Sequence, residues 1–229
     1  RSAGSLGYHP AMRERWVSVE VVRRLPGLLL GLVAFGLGIA LMAEAGLGLG
    51  PWEAFHQGIG QLTGLSLGTV SIVLGIPILL LWWPLGERPG IGTLLNVAVI
   101  GTATNIGLAL LPGAVGLPAQ VAMMLAGVVV IGLGSGLYLA ADLGPGPRDG
   151  LMTGLHHRFG WSIRRSRTAV EVTILVAGWA LGGTIGIGTV VFALGIGPVV
   201  QFFLGTFDRT GRIERRRAAN LEAEATGAE

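Results

Sequence analysis

Two acids, Glu53 and Asp149, stand in matched settings, each two residues after a proline, in Gly50-Pro51-Trp52-Glu53 and Gly146-Pro147-Arg148-Asp149. A Gly-Pro pair marks a helix start, where unpaired backbone N–H groups carry partial positive charge and stabilise an acid in the first turn. Helix-start stabilisation alone accounts for a carboxylate there. The other chemistry open to the pair is a proton or cation site, with one acid facing a central cavity from each half of the chain. Their neighbours Trp52 and Arg148 occupy the same register but differ in chemistry, so the two sites are not interchangeable. Arg148 is placed either to pair with Asp149 or to meet an anionic solute. Asn105 and Gln201 form another matched pair, each within an apolar stretch. An amide in hydrocarbon needs a partner, so both should face the bundle interior, bonding another helix or contacting solute. Asn96, Thr102 and Thr104 add polarity around Asn105 and make that stretch the richer candidate for lining a pathway.

Other chemistries find little support. His56, His156 and His157 have no acid or second histidine at helical ligand spacing, which argues against a metal site. Gly132, Gly134 and Gly136 resemble a dinucleotide fingerprint only superficially, since the third glycine is misplaced and no βαβ context surrounds it. With 0 cysteines, disulfides, thiolate metal sites and thiol catalysis are excluded. No nucleophile–base pair or phosphate loop is visible, so the expectation is a protein that is not an enzyme and uses no cofactor. Glu171, one helical turn after Arg167, reads as half of an i,i+4 ion pair near the cytoplasmic surface.

The elements that position these residues come from a duplication. Residues 31–101 align without a gap on 127–197, each pair 96 apart, and about 25 of the 71 pairs are identical. Gly36-Leu37-Gly38 matches Gly132-Leu133-Gly134, and Gly90-Ile91-Gly92-Thr93 matches Gly186-Ile187-Gly188-Thr189. Thr93 and Thr189 are expected to cap helix starts. Because many matches are glycine or proline, which govern backbone shape, the two halves should share a fold.

A mean hydropathy of +0.68 with 13% charged residues is too apolar for an ordinary soluble domain of 229 residues. Six mostly apolar stretches, 26–45, 67–85, 91–111, 118–141, 168–183 and 189–207, approach the length needed to cross a hydrocarbon core of about 30 Å. The fifth is short and contains Glu171. No early apolar stretch ends in a cleavage site, and the residues before Met12 read as an overlong start. The 16 basic residues are all arginine, and segments 44–66, 112–117 and 184–188 contain none of them. The arginines therefore collect on one side, which the positive-inside bias assigns to the cytoplasm, together with both termini. Such a distribution disfavours nucleic acid as partner, despite a pI near 10.5.

Three spans per half is an odd number, so the second half should be inverted relative to the first, as in many secondary transporters. The expected fold is an all-α polytopic membrane helix bundle. It comprises a cytoplasmic segment 1–25, three-span repeats at 26–111 and 118–207, and a charged tail at 208–229. Segments 51–63 and 147–159, too short to cross, should be re-entrant or interfacial helices. Trp82 and Trp83 are expected at the cytoplasmic interface, and Pro77 and Pro198 should kink their helices. Gly132 and Gly136 form a small-xxx-small step for close helix approach, and the glycine-rich faces permit a homodimer.

The constellation Gly48-Leu49-Gly50-Pro51-Trp52-Glu53 and Gly144-Pro145-Gly146-Pro147-Arg148-Asp149, with the paired Gly-Ile-Gly-Thr turns, resembles the bacterial YczE-type membrane proteins and the broader YitT group. The likeness covers about residues 26–204 and implies a multi-pass protein of the bacterial cytoplasmic membrane, in a family whose members are mostly uncharacterised. The leading expectation is a secondary transporter or exporter of a small solute. In it, Glu53 or Asp149 binds a proton or cation, Asn105 and Gln201 orient solute, and Trp52 and Arg148 complete the site. The alternative is a membrane scaffold that docks a cytoplasmic partner through Arg164, Arg165, Arg167 and the arginine-rich tail.

Overall fold

In a computed structural model, residues 19–208 and Gly211 are described, and they form eight α-helices. These are α1 (Val19–Ala45), α2 (Pro51–Thr63), α3 (Leu67–Leu85), α4 (Ile91–Leu110), α5 (Leu117–Ala141), α6 (Pro147–Phe159), α7 (Ile163–Ala180) and α8 (Ile187–Phe207). The charged tail expected at 208–229 falls outside the described residues except for Asp208 and Gly211.

The described part of α1 already includes residues 19–25 of the expected N-terminal segment, and Pro26 lies inside the helix. Hydropathy placed its start too late because Arg23 and Arg24 interrupt the apolar run without interrupting the backbone. Arg24 has a helical role: it pairs with Glu20 and donates to the Ala141 carbonyl at the end of α5, 3.4 Å away. A cation at a helix C-terminus meets carbonyls left without intrahelical partners.

Helices α1 and α5 form the centre of the bundle, and glycine lets them approach closely. A Cβ on Gly31 would lie 2.7 Å from the Gly134 carbonyl oxygen, and one on Gly38 would lie 2.9 Å from that of Gly127. Residue numbers rise along one helix as they fall along the other, so the two cross antiparallel. Within hydrocarbon, such backbone approach and dispersion contact replace the hydrophobic drive that packs soluble helices.

The same exchange recurs between the other elements. Helix α1 packs on α4 as α5 packs on α8, and α2 packs on α7 as α6 packs on α3. Gly58 of α2 lies under Leu181, while its aligned partner Gly154 of α6 lies under Leu85. One contact breaks the pattern: α3 and α4 pack through Gly68 and Gly101, whereas α7 and α8 form no comparable contact. Arg164 stands where Gly68 does, and a long charged side chain cannot admit a second backbone.

Five helices, α1, α3, α4, α5 and α8, are long and apolar enough to cross a membrane. The expected fifth span corresponds to α7, which lies outside that group: its 18 residues include Arg164, Arg165, Arg167 and Glu171. Its start is earlier than hydropathy suggested because the Ser162 hydroxyl caps it, accepting from the Arg165 N–H at 3.3 Å. Pro77 and Pro198 both lie inside helices, in α3 and α8.

The expectation for Trp82 needs correction. Trp83 is 86% exposed, but Trp82 is fully buried and donates its indole N–H to the Pro147 carbonyl at 3.2 Å. The ring fits only because Gly150, opposite it, has no side chain. Trp82 therefore pins the start of α6 and is not an interfacial anchor.

Candidate functional site

The two short helices begin alike. Gly50 (φ −62°, ψ 162°) and Gly146 (φ −65°, ψ 158°) are extended N-caps followed by proline. Each is reached through an extended linker whose glycine has positive φ, Gly48 at 118° and Gly144 at 126°. A side chain at either would be strained, and would also strike the Thr189 or Thr93 hydroxyl. Each linker is held by the last helix of the opposite half: Gly188 N–H donates to the Leu47 carbonyl at 2.8 Å, and Gly92 N–H to that of Leu143 at 2.9 Å. Thr93 and Thr189 close the capping boxes of α4 and α8, accepting from Gly90 and Gly186 N–H. Thr93 also donates to the Pro145 carbonyl at 2.7 Å, tying the α6 linker to α4.

Held this way, the starts of α2 and α6 meet. The Arg148 guanidinium pairs with the Glu53 carboxylate and lies over the Trp52 ring, 5.1 Å from its centroid. Glu53 is only 3% exposed, so the arginine supplies the counter-charge that makes its burial tolerable. Asp149 turns elsewhere and accepts from the Tyr138 hydroxyl at 3.3 Å. Each acid also folds back toward its own helix start, near Gly50 or Gly146, as dipole stabilisation requires.

A cavity of about 390 Å³ opens beside these residues, lined by Trp52, His56, Tyr138, Arg148 and Asp149 among others. Arg167 and Glu171 of α7 and Gln201 of α8 also line it. Trp52 Nε1, Glu53 Oε2 and His56 Nε2 are buried without a hydrogen-bond partner among the described residues.

The structure thus brings together Glu53, Asp149, Trp52, Arg148 and Gln201, and leaves Asn105 out. The Asn105 amide is spent between α3 and α4: its Oδ1 accepts from Gly68 N–H at 3.0 Å, and its Nδ2 donates to Thr69 Oγ1 at 3.0 Å. Thr104 bonds the Gly36 carbonyl and Thr102 is exposed, so only Asn96 of the polar residues in α4 lines the cavity.

Tyr138, His56, Arg167 and Glu171 are cavity residues that the sequence alone did not assign to a site. Arg167 and Glu171, expected as an i,i+4 ion pair, both line the cavity, and among the described residues their charged groups stand near one another without closing to salt-bridge distance. For Arg167 and Glu171 a signal lay in the alignment of the two halves, where charged residues of α7 take the places of Ser71 and Gly75 of α3. Among the described residues, no three His, Asp or Glu side chains converge on a point that would hold a metal ion.

Comparison with known proteins finds a match over residues 22–205 to a family of unknown function, DUF6198. An uncharacterized protein of Haemophilus influenzae is 41% identical over 186 residues, covering 81% of this chain and 85% of that one. The uncharacterized membrane protein YczE of Bacillus subtilis is 37% identical over 188 residues, covering 81% and 87%. The uncharacterized protein YyaS of the same organism is 26% identical over 192 residues. No solved structure matches.

Proposed function

This chain belongs to the DUF6198 family of YczE-type membrane proteins, and we propose that it is a secondary transporter or exporter of a small solute. In this reading the protein is multi-pass in the bacterial cytoplasmic membrane, with α7 as a sixth span and both termini cytoplasmic. The second half is the first turned over in the bilayer. The antiparallel crossing of equivalent helices α1 and α5 supports inversion, since an odd number of spans reverses the next copy. Helices α2 and α6 start at mid-depth, where irregular backbone is tolerated beside a cavity, and run out towards opposite faces.

One observation carries the proposal: an ion pair between the starts of the two short helices, Glu53 with Arg148, lies at the wall of a cavity shared by both halves. A contact between halves at the binding site is what an alternating-access cycle would make and break. Glu53 and Asp149 are the proton or cation sites, Gln201 orients solute, and Asn105 acts structurally.

Gradient-driven flux in proteoliposomes, with a solute panel and with Glu53→Gln and Asp149→Asn, tests this reading. Loss of flux in either variant supports it, whereas unchanged flux in both removes the acids from the mechanism. Loss of function on neutralising Arg164 and Arg165, with both acid variants silent, would favour the docking scaffold instead.

A further inference from the structure

Arg148 occupies the position that a cationic solute would take. Its guanidinium sits between an aromatic face and a carboxylate, over Trp52 and against Glu53. An aromatic quadrupole beside a full negative charge recognises organic cations generally, and more strongly where water is excluded. The arginine side chain is 28% exposed and arrives from the opposite half on a flexible stem, while that of Glu53 is 4% exposed. The box is the more deeply buried partner, and its occupant the more accessible one.

The surrounding charge points the same way. Glu53, Asp149 and Glu171 face Arg148 and Arg167 at and around the cavity, so carboxyls outnumber guanidiniums three to two. A membrane interior tolerates an excess of ionised carboxylates poorly unless a proton or cation meets it. A bare metal ion is ill served, because no cluster of three ligating side chains exists among the described residues. At about 390 Å³ the space suits a molecule, and Phe35, Trp52, Tyr138 and Phe192 give it aromatic walls. Trp52 and His56, 2% and 3% exposed, are among its lining residues, and their buried ring nitrogens have no hydrogen-bond partner among the described residues.

We propose that the cavity binds a small monovalent organic cation, an alkylguanidinium or alkylammonium, which displaces the Arg148 guanidinium from Trp52 and Glu53. Displacement also breaks the ion pair that joins the starts of α2 and α6, so occupancy and the relation of the halves are coupled. The solute class rests on the transport reading for its movement across the membrane, and on the box alone for its binding.

Calorimetry on the purified full chain in detergent, with ethylguanidinium and tetraethylammonium as probes and acetate as the anionic control, tests the proposal. The cations bind and acetate does not. Arg148→Gln tightens ethylguanidinium binding about tenfold by removing the internal competitor, and Glu53→Gln weakens it at least tenfold. Trp52→Leu weakens it about threefold, the size of one cation–π contact, and Trp52→Phe largely restores it. Should Arg148→Gln not fold, Arg148→Ser with Glu53→Ser removes occupant and counter-charge together, and is expected to lose cation binding.

Unchanged or weaker binding in folded Arg148→Gln, an unaffected Trp52→Leu, cation binding retained in the double variant, or preference for acetate would each overturn it. Cation binding without gradient-driven flux would sink the transport reading and leave this site standing. Glu53-dependent flux of an anionic or neutral solute, with no cation binding, would do the reverse.

Discussion

Arg148 and Trp52 hold the same place in two copies of one motif, yet one carries a charge and the other the face that receives it. Identical copies would set like against like where the two helix starts meet; divergence at this pair makes the contact favourable. Glu53, nearly inaccessible to solvent, depends on that contact. Arg148→Gln should therefore destabilise the protein by about 2–4 kcal/mol, somewhat below the cost of stripping a fully buried pair, because the arginine is partly exposed. Adding Glu53→Gln should recover much of that loss, a coupling that a double-mutant cycle of unfolding midpoints in detergent would read directly. Trp82 is the second residue with a defined role. Trp82→Phe should cost about 1 kcal/mol for the lost bond to the Pro147 carbonyl, and Trp82→Ala about 3–5 kcal/mol with the added cavity, measured the same way. The register of the duplication made Glu53, Asp149, Trp52 and Arg148 legible from sequence. Tyr138 and His56 were not, since hydropathy does not say which face of a helix meets a cavity. Asn105 was assigned a place near solute because an intramembrane amide signals a partner without saying whether that partner is solute or helix.

Helix starts and crossings in this protein are written in glycine, and substitution separates those that matter from those that do not. Gly134 lies where α1 and α5 touch backbone to backbone, so Gly134→Val should drive them apart and abolish a monodisperse peak in size-exclusion chromatography. Gly205, in α8, faces open space, with nothing within 4 Å of where a Cβ would stand, and Gly205→Ala should raise stability by up to about 1 kcal/mol. Element existence was readable throughout, including both short helices with their 51–63 and 147–159 limits. Element ends went astray where arginines lie inside a helix, at the start of α1 and again at α7. Charge lowers hydropathy without breaking a helix, and only the capping serine at 162 announced where α7 begins.

At the scale of the whole molecule, packing relates each element of one half to its counterpart by exchange, and the departures cluster beside the cavity. Gly68 and Gly75 of α3 let α4 close in; their counterparts in α7 are Arg164 and Glu171, and α7 and α8 form no comparable contact. In the transport reading, a scaffold with one loosened seam would leave the site open on one side. Exchange of the seam between halves would give the opposite state of a transport cycle. That picture requires the two copies to face opposite compartments. The chain has 0 cysteines, so single-cysteine variants need no altered background. Thr63 and Phe159 are aligned, exposed, and close the two short helices. Labelling Thr63→Cys and Phe159→Cys in intact cells with a membrane-impermeant maleimide tests the claim directly. The account predicts that Thr63→Cys is labelled from outside and Phe159→Cys only after the membrane is opened; labelling of both from one side would contradict it.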